Sequence, residues 1–105
     1  MKKIYICGPI TNCPDYEKEF KAREMALRAM GYYPVSPVPV GKRLIEFYPE
    51  RKVTHEEFMN ATLPLLLDCE GITLLDGWEN SEGAKLEYEV AKSTGKKFVK
   101  VVLFK

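Results

Sequence analysis

The sequence predicts a doubly wound α/β domain, a mostly parallel sheet of four to five strands flanked by helices, and three observations predict it. Short apolar runs of strand character alternate with longer stretches whose apolar residues recur at helical spacing. Two of the strand runs exit into glycine, Gly8 after Tyr5-Ile6-Cys7 and Gly77 after Leu74-Leu75-Asp76. The first stretch of chain reads strand, loop, helix, strand, for which a right-handed crossover and parallel pairing are the default. Parallel strands of such a sheet share one exit edge, and small ligands bind beyond it.

Each element has its own justification. Lys3-Ile4-Tyr5-Ile6-Cys7 reads as a first, buried strand, closed by Gly8-Pro9. Asp15 is a helix N-cap, Tyr16, Phe20, Leu27 and Met30 repeat at helical spacing, and Gly31 stops the helix. Tyr32-Tyr33-Pro34-Val35-Ser36 is the second strand. Residues 37–53 lose periodicity, with Pro37, Pro39, Gly41 and Pro49 punctuating a basic and aromatic stretch. A connection this long in a small domain reads as a lid or partner-contacting segment, or as an irregular connector. Thr54-His55-Glu56-Glu57 fits a capping box. Phe58, Ala61 and Leu65 follow on one helix face, and Pro64 implies a kink or a fresh start. Ile72-Thr73-Leu74-Leu75 is the third strand, and residues 97–104 give a last one. Between them, Ser81 is the N-cap and Gly95 the stop of a helix.

Composition narrows the function classes. A length of 105 residues suits one compact domain, 1–105, and 46% hydrophobic with 30% charged residues is ordinary for a globular protein. A net charge of +1 gives no general attraction to nucleic acid or to acidic membranes. No apolar run approaches the roughly 20 residues of a membrane span, and the amino-terminal run is too short and strand-like for a signal peptide. Cys7, Cys13 and Cys69 match no metal spacing, so reduced thiols and a cytoplasmic location are expected. The single His55 has no neighbour at ligand spacing and reads as a surface histidine at a helix start.

One residue departs from pattern. In the helix after Ser81, Gly83, Ala84, Leu86, Val90, Ala91 and Thr94 fall on one arc, with Lys85, Tyr88, Glu89 and Lys92 opposite. Glu87 lies near the middle of the apolar arc, where a carboxylate is rare unless paired or working. A hydroxyl from Tyr5 on a neighbouring strand would orient it. Such an acid suits attack on an electrophilic carbon, as in glycosyl transfer, or serves structurally against an amide or an arginine. Gly8-Pro9-Ile10-Thr11-Asn12 at a strand exit could offer backbone N–H groups to a sugar or phosphate, but read alone it is more often a plain tight turn. Asp68 and Asp76 bracket the third strand, with Asp76 at its exit. Trp78 beside Gly77 either stacks on a base or caps the core.

Taken together, these residues resemble the nucleoside 2-deoxyribosyltransferase-like superfamily, within it a small branch. The matching stretches are Tyr5-Ile6-Cys7-Gly8-Pro9-Ile10-Thr11, Leu67-Asp68-Cys69-Glu70-Gly71-Ile72, and Gly83-Ala84-Lys85-Leu86-Glu87 running on to Ala91. The resemblance implies a Rossmann-like fold and cleavage or transfer of the N-glycosidic bond of a 2-deoxynucleoside or its 5′-monophosphate. It makes Glu87 the nucleophile and Tyr5 its hydrogen-bond donor. It turns Gly8, Pro9, Ile10 and Thr11 toward the sugar or 5′ end and makes Asp68 the nearest equivalent of a second acid of the family, while Asp76, Gly77, Trp78, Ser81 and Gly83 join them as candidate substrate contacts from their place at the exit of the third strand. Neither metal nor cofactor is implied, and the partner is a small nucleoside or nucleotide, with a homodimer or larger homo-oligomer completing the pocket. Many members carry an aspartate six residues before the nucleophile, where this chain has Ser81. A non-catalytic nucleotide-binding or sensing module on the same scaffold is the alternative.

Overall fold

The structure, a computed structural model, describes residues 1–10 and 13–101. Its sheet holds β1 (Lys3–Cys7), β2 (Tyr33–Val35), β3 (Gly71–Leu74) and β4 (Lys97–Phe98), all parallel and in the order β2-β1-β3-β4. Around it pack α1 (Tyr16–Ala29), α2 (Val38–Phe47), α3 (His55–Leu67) and α4 (Glu82–Ser93). This is the doubly wound α/β architecture that the alternation of patterns predicts. The chain moves outward from β1 to β2, then reverses past β1 to reach β3 and β4. Crossovers of one hand therefore put α1 on one face of the sheet and α3 with α4 on the other.

The two cores follow from that winding. β1 is central and covered on both faces, so Ile4, Tyr5, Ile6 and Cys7 are all buried and its sequence is an unbroken apolar run. Ile4 and Ile6 pack with Phe20 and Leu27 of α1 and with Leu75. Tyr5 and Cys7 point the other way, into a cluster with Ile72, Leu66 of α3, and Ala84 and Ala91 of α4. On α1 the buried stripe is Phe20, Arg23 and Leu27, whereas Met30, expected to join it, is half exposed. At the sheet margin, the Tyr33 N–H donates to the Lys2 carbonyl at 2.9 Å. Tyr33 thus faces β1, and Pro34, the next residue and one without an N–H, faces outward.

Several elements differ from the sequence reading. Residues 38–47 are helical, not irregular. Pro37 and Pro39 occupy the N-cap and second helical positions, where an absent N–H breaks no intrahelical bond, so these prolines begin a helix. Helix α3 runs unbroken through Pro64 with no fresh start. The N–H that Pro64 lacks would have met the carbonyl of Asn60, an exposed residue. On α4 the buried residues are Ala84, Glu87 and Ala91, while Leu86 is exposed, so the apolar arc is narrower than expected and Glu87 lies at its centre. In the last strand the pairing covers Lys97–Phe98 and continues to Val99, whose N–H donates to Ile72 at 2.8 Å. Residues 102–104 of that expected strand lie outside the described residues. No helix among the described residues is long and apolar enough to cross a membrane.

Candidate functional site

The site is built from the start of α4 inward. Ser81 caps the helix, its Oγ accepting from the Ala84 N–H at 3.2 Å. That start places Glu87 in the second turn, directed at the sheet. Glu87 is only 4% exposed. The Tyr5 hydroxyl, completely buried on β1, donates a short hydrogen bond to Glu87 Oε2. Cys7, two residues along the same strand face, lies beside this pair and donates its thiol proton to the Ala84 carbonyl at 3.3 Å. Thr62 of α3 closes the group from the opposite helix, completely buried.

The electrostatics follow from burial. Loss of water raises the Glu87 carboxyl from 4.5 to about 7, against the lowering influence of the Tyr5 hydrogen bond and of Cys7 and Thr62. Burial, then the Glu87 charge, lifts Tyr5 well above its usual range, so Tyr5 remains a donor at neutral pH. The same two causes lift the Cys7 thiol far above neutrality. Cys7 is therefore no thiolate nucleophile. Glu87 is the group of this cluster that changes charge near neutral pH.

Glu87 also reaches a cavity of about 190 Å³. Gly8 and Ile10 line it from the β1 exit, Pro37 from the β2 exit, and Ser81, Gly83 and Ala84 from the start of α4. The start of α3 and the residues leading into it supply the remaining wall, with Val53, Thr54, His55, Phe58 and Met59. The cavity lies beyond the carboxyl end of β1, at the junction of β1 and β3 from which the chain winds outward in opposite directions, the switch point at which open α/β sheets bind ligands. Gly8 is required there. A Cβ on it would sit 2.7 Å from the Leu75 side chain, so only a residue without one lets the β1 and β3 exits approach this closely.

Of the residues singled out in the sequence, Gly8, Ile10, Ser81, Gly83 and Glu87 meet at this cavity, with Tyr5 directly behind Glu87. Pro9 packs instead near Gly77, 3.7 Å from where a Cβ would stand. Asp76 and Trp78 line a separate hollow of about 530 Å³ with Arg23 and Lys100. Trp78 stacks on Tyr88 with ring centroids 4.5 Å apart and planes 20° from parallel, so it packs against α4 and does not face Glu87. Asp68 is a correction. It precedes β3, hence lies at the amino edge of the sheet, and its carboxylate bonds Lys3 at 2.8 Å, across the sheet's length from the cavity. Thr11 lies outside the described residues.

Sequence reasoning missed the contribution of α3, that is His55, Phe58, Met59 and Thr62. A signal for it existed. In an α/β unit the helix runs back against the strands, so a helix that precedes a parallel strand must begin at the exit edge. The capping box is formed, Thr54 Oγ1 accepting from Glu57 N–H at 3.1 Å and Glu57 Oε1 from Thr54 N–H at 2.9 Å. It fixed that start, and His55 follows it directly. Among the described residues no group of three or more acidic, histidine or cysteine side chains is placed to hold a metal ion.

Comparison with known proteins adds one family. The profile described as "Domain of unknown function (DUF4406)" matches residues 2–100, a span that includes Tyr5, the cavity and Glu87. No curated protein matches the chain.

Proposed function

Since the chain belongs to the DUF4406 family, a domain of unknown function, we propose its function from the site itself: cleavage or transfer of the N-glycosidic bond of a 2-deoxynucleoside or its 5′-monophosphate. Glu87 Oε1 attacks the anomeric carbon as the bond to the base breaks. The base leaves with the bonding electron pair and takes up a proton. A deoxyribosyl ester of Glu87 results, and water or a second base then displaces the carboxylate from the same carbon. Tyr5, bound to Oε2, orients the carboxyl and leaves the other oxygen to attack. The reading agrees with the likeness to the nucleoside 2-deoxyribosyltransferase-like superfamily that the Tyr5 and Glu87 stretches carry.

The observation that supports it most is a buried carboxyl, held by a tyrosine, at the wall of the switch-point cavity. Purified protein incubated with a panel of deoxynucleosides and their monophosphates is expected to release free base. Release should rise with pH through about 7 as Glu87 ionises. Glu87→Ala should lower it by roughly a thousandfold or more while ligand still binds.

A second reading is nucleotide binding or sensing without turnover, in a cavity that holds the sugar and leaves the base outside. About 190 Å³ is less than the roughly 300 Å³ at which ligand pockets usually begin, room for a sugar and little else. Binding of these ligands with no base released from any of them would decide for it. In either reading we infer a homo-oligomer in which a neighbouring copy adds to the cavity.

A further inference from the structure

Thr62 sits inside α3, completely buried where that helix meets α4 and β1. A helical threonine ordinarily returns its hydroxyl proton to the carbonyl one turn back, as Thr94 does to Val90 at 2.7 Å. Nearby buried thiols are matched in the same manner, Cys7 to Ala84 at 3.3 Å and Cys69 to Leu65 at 3.2 Å. Thr62 Oγ1 alone in this layer has no hydrogen-bond partner among the described residues. A buried hydroxyl left so is destabilising, which asks for a reason. Its neighbours are the Tyr5 hydroxyl and the Glu87 carboxyl: it stands near enough to favour the charged form of each, yet completes a hydrogen bond of normal geometry to neither.

We propose that Thr62 is a positioning residue for Glu87: its buried, unpartnered hydroxyl turns onto the Tyr5–Glu87 pair when Glu87 ionises, adding a second donor beside Tyr5. A hydroxyl has one proton and a free rotor, so it can serve the carboxylate directly or donate to Tyr5 Oη and polarise the bond that Tyr5 gives. With Glu87 protonated, no negative charge draws the Thr62 proton, and its oxygen can serve only as an acceptor toward the carboxyl O–H. The titratable groups around Glu87 are Tyr5 and Cys7 from β1 and His55 across the cavity. Tyr5 and Cys7 stay protonated, so they supply no charge that would substitute for the Thr62 donor. The effect on turnover rests on Glu87 being the nucleophile; the effect on its proton does not.

The test follows the Glu87 carboxyl by carbon-13 NMR in protein labelled at glutamate, the signal being assigned by its loss in Glu87→Gln. Thr62→Val keeps the shape and removes the donor, and is expected to raise the Glu87 midpoint by about one pH unit, a tenfold change in its dissociation constant. Thr62→Ser should restore the wild-type midpoint. Thr62→Ala replaces Thr62→Val if the latter does not fold. A midpoint in the hydroxyl-free variant equal to wild type overturns the proposal, as does an equal shift in Thr62→Ser, which would assign the effect to packing. If the titration behaves as expected but neither wild type nor variant releases base, the positioning role stands and the glycosyl reading falls.

Discussion

At the residue scale, the carboxyl of Glu87 works against the fold that holds it. Between pH 4.5 and about 7 the unfolded chain has released the proton that the folded chain retains. Stability therefore falls as pH rises through that window, by about 3 kcal/mol in all, and the contribution is intact only below its lower limit. Glu87→Gln, neutral at every pH, should unfold at higher urea than wild type at pH 8, and the two curves should converge near pH 4. The Tyr5 donor can still meet the amide oxygen, and the unmatched Thr62 hydroxyl can accept from the amide nitrogen. Glu87 was legible in the sequence because an acid amid Ala84, Val90 and Ala91 breaks a pattern. Thr62 was not, since a threonine is unremarkable on either face of a helix and only packing shows that its proton has nowhere to go. His55 was discounted because exposure and a role in the cavity wall are compatible, and the sequence distinguishes them only through the direction of α3.

At the scale of elements, the wall of the cavity is set by how α2 lies on α3. Gly41 is buried in α2, and a Cβ added there would stand 2.7 Å from Cε2 of Phe58, whose ring lines the cavity. Gly41→Ala must move that ring. The gain in helix propensity, about 1 kcal/mol, is then offset by overpacking that typically costs 1–3 kcal/mol. The expected outcome is a protein of equal or lower melting temperature with weaker binding of the proposed deoxynucleotide ligand, read by calorimetric titration. Helix α2 was missed because its prolines look like breakers when their position within the element is unknown. The capping box before α3 was read correctly because Thr54 and Glu57 bond each other's backbone across three residues, and the further partner of Glu57, Arg51, is only six residues away, so no distant part of the chain is needed. Of the two outcomes expected at Pro64, the fresh start does not occur, for the opposite reason: packing on the sheet holds α3 together across a residue that an isolated helix would not tolerate.

At the scale of the molecule, alternating patterns gave the class of fold, but strand order came from the winding. Only with β1 between β2 and β3 do Gly8 and Leu75 meet, Tyr5 reach Glu87, and Asp68 fall at the far end from the cavity. Gly8→Ala would force the β1 and β3 exits apart at this junction. It should lower stability by roughly 1–3 kcal/mol in urea unfolding and weaken ligand binding together, in contrast to Glu87→Gln, which separates the two. The margin of the sheet carries a different consequence. Pro34 leaves β2 without a donor on its open flank, so a stray chain in extended form finds no continuous ladder to join there. Fibre-like templating is blocked on that side in the crowded state, and among the described residues the opposite flank, at β4, is the one from which the sheet can lengthen.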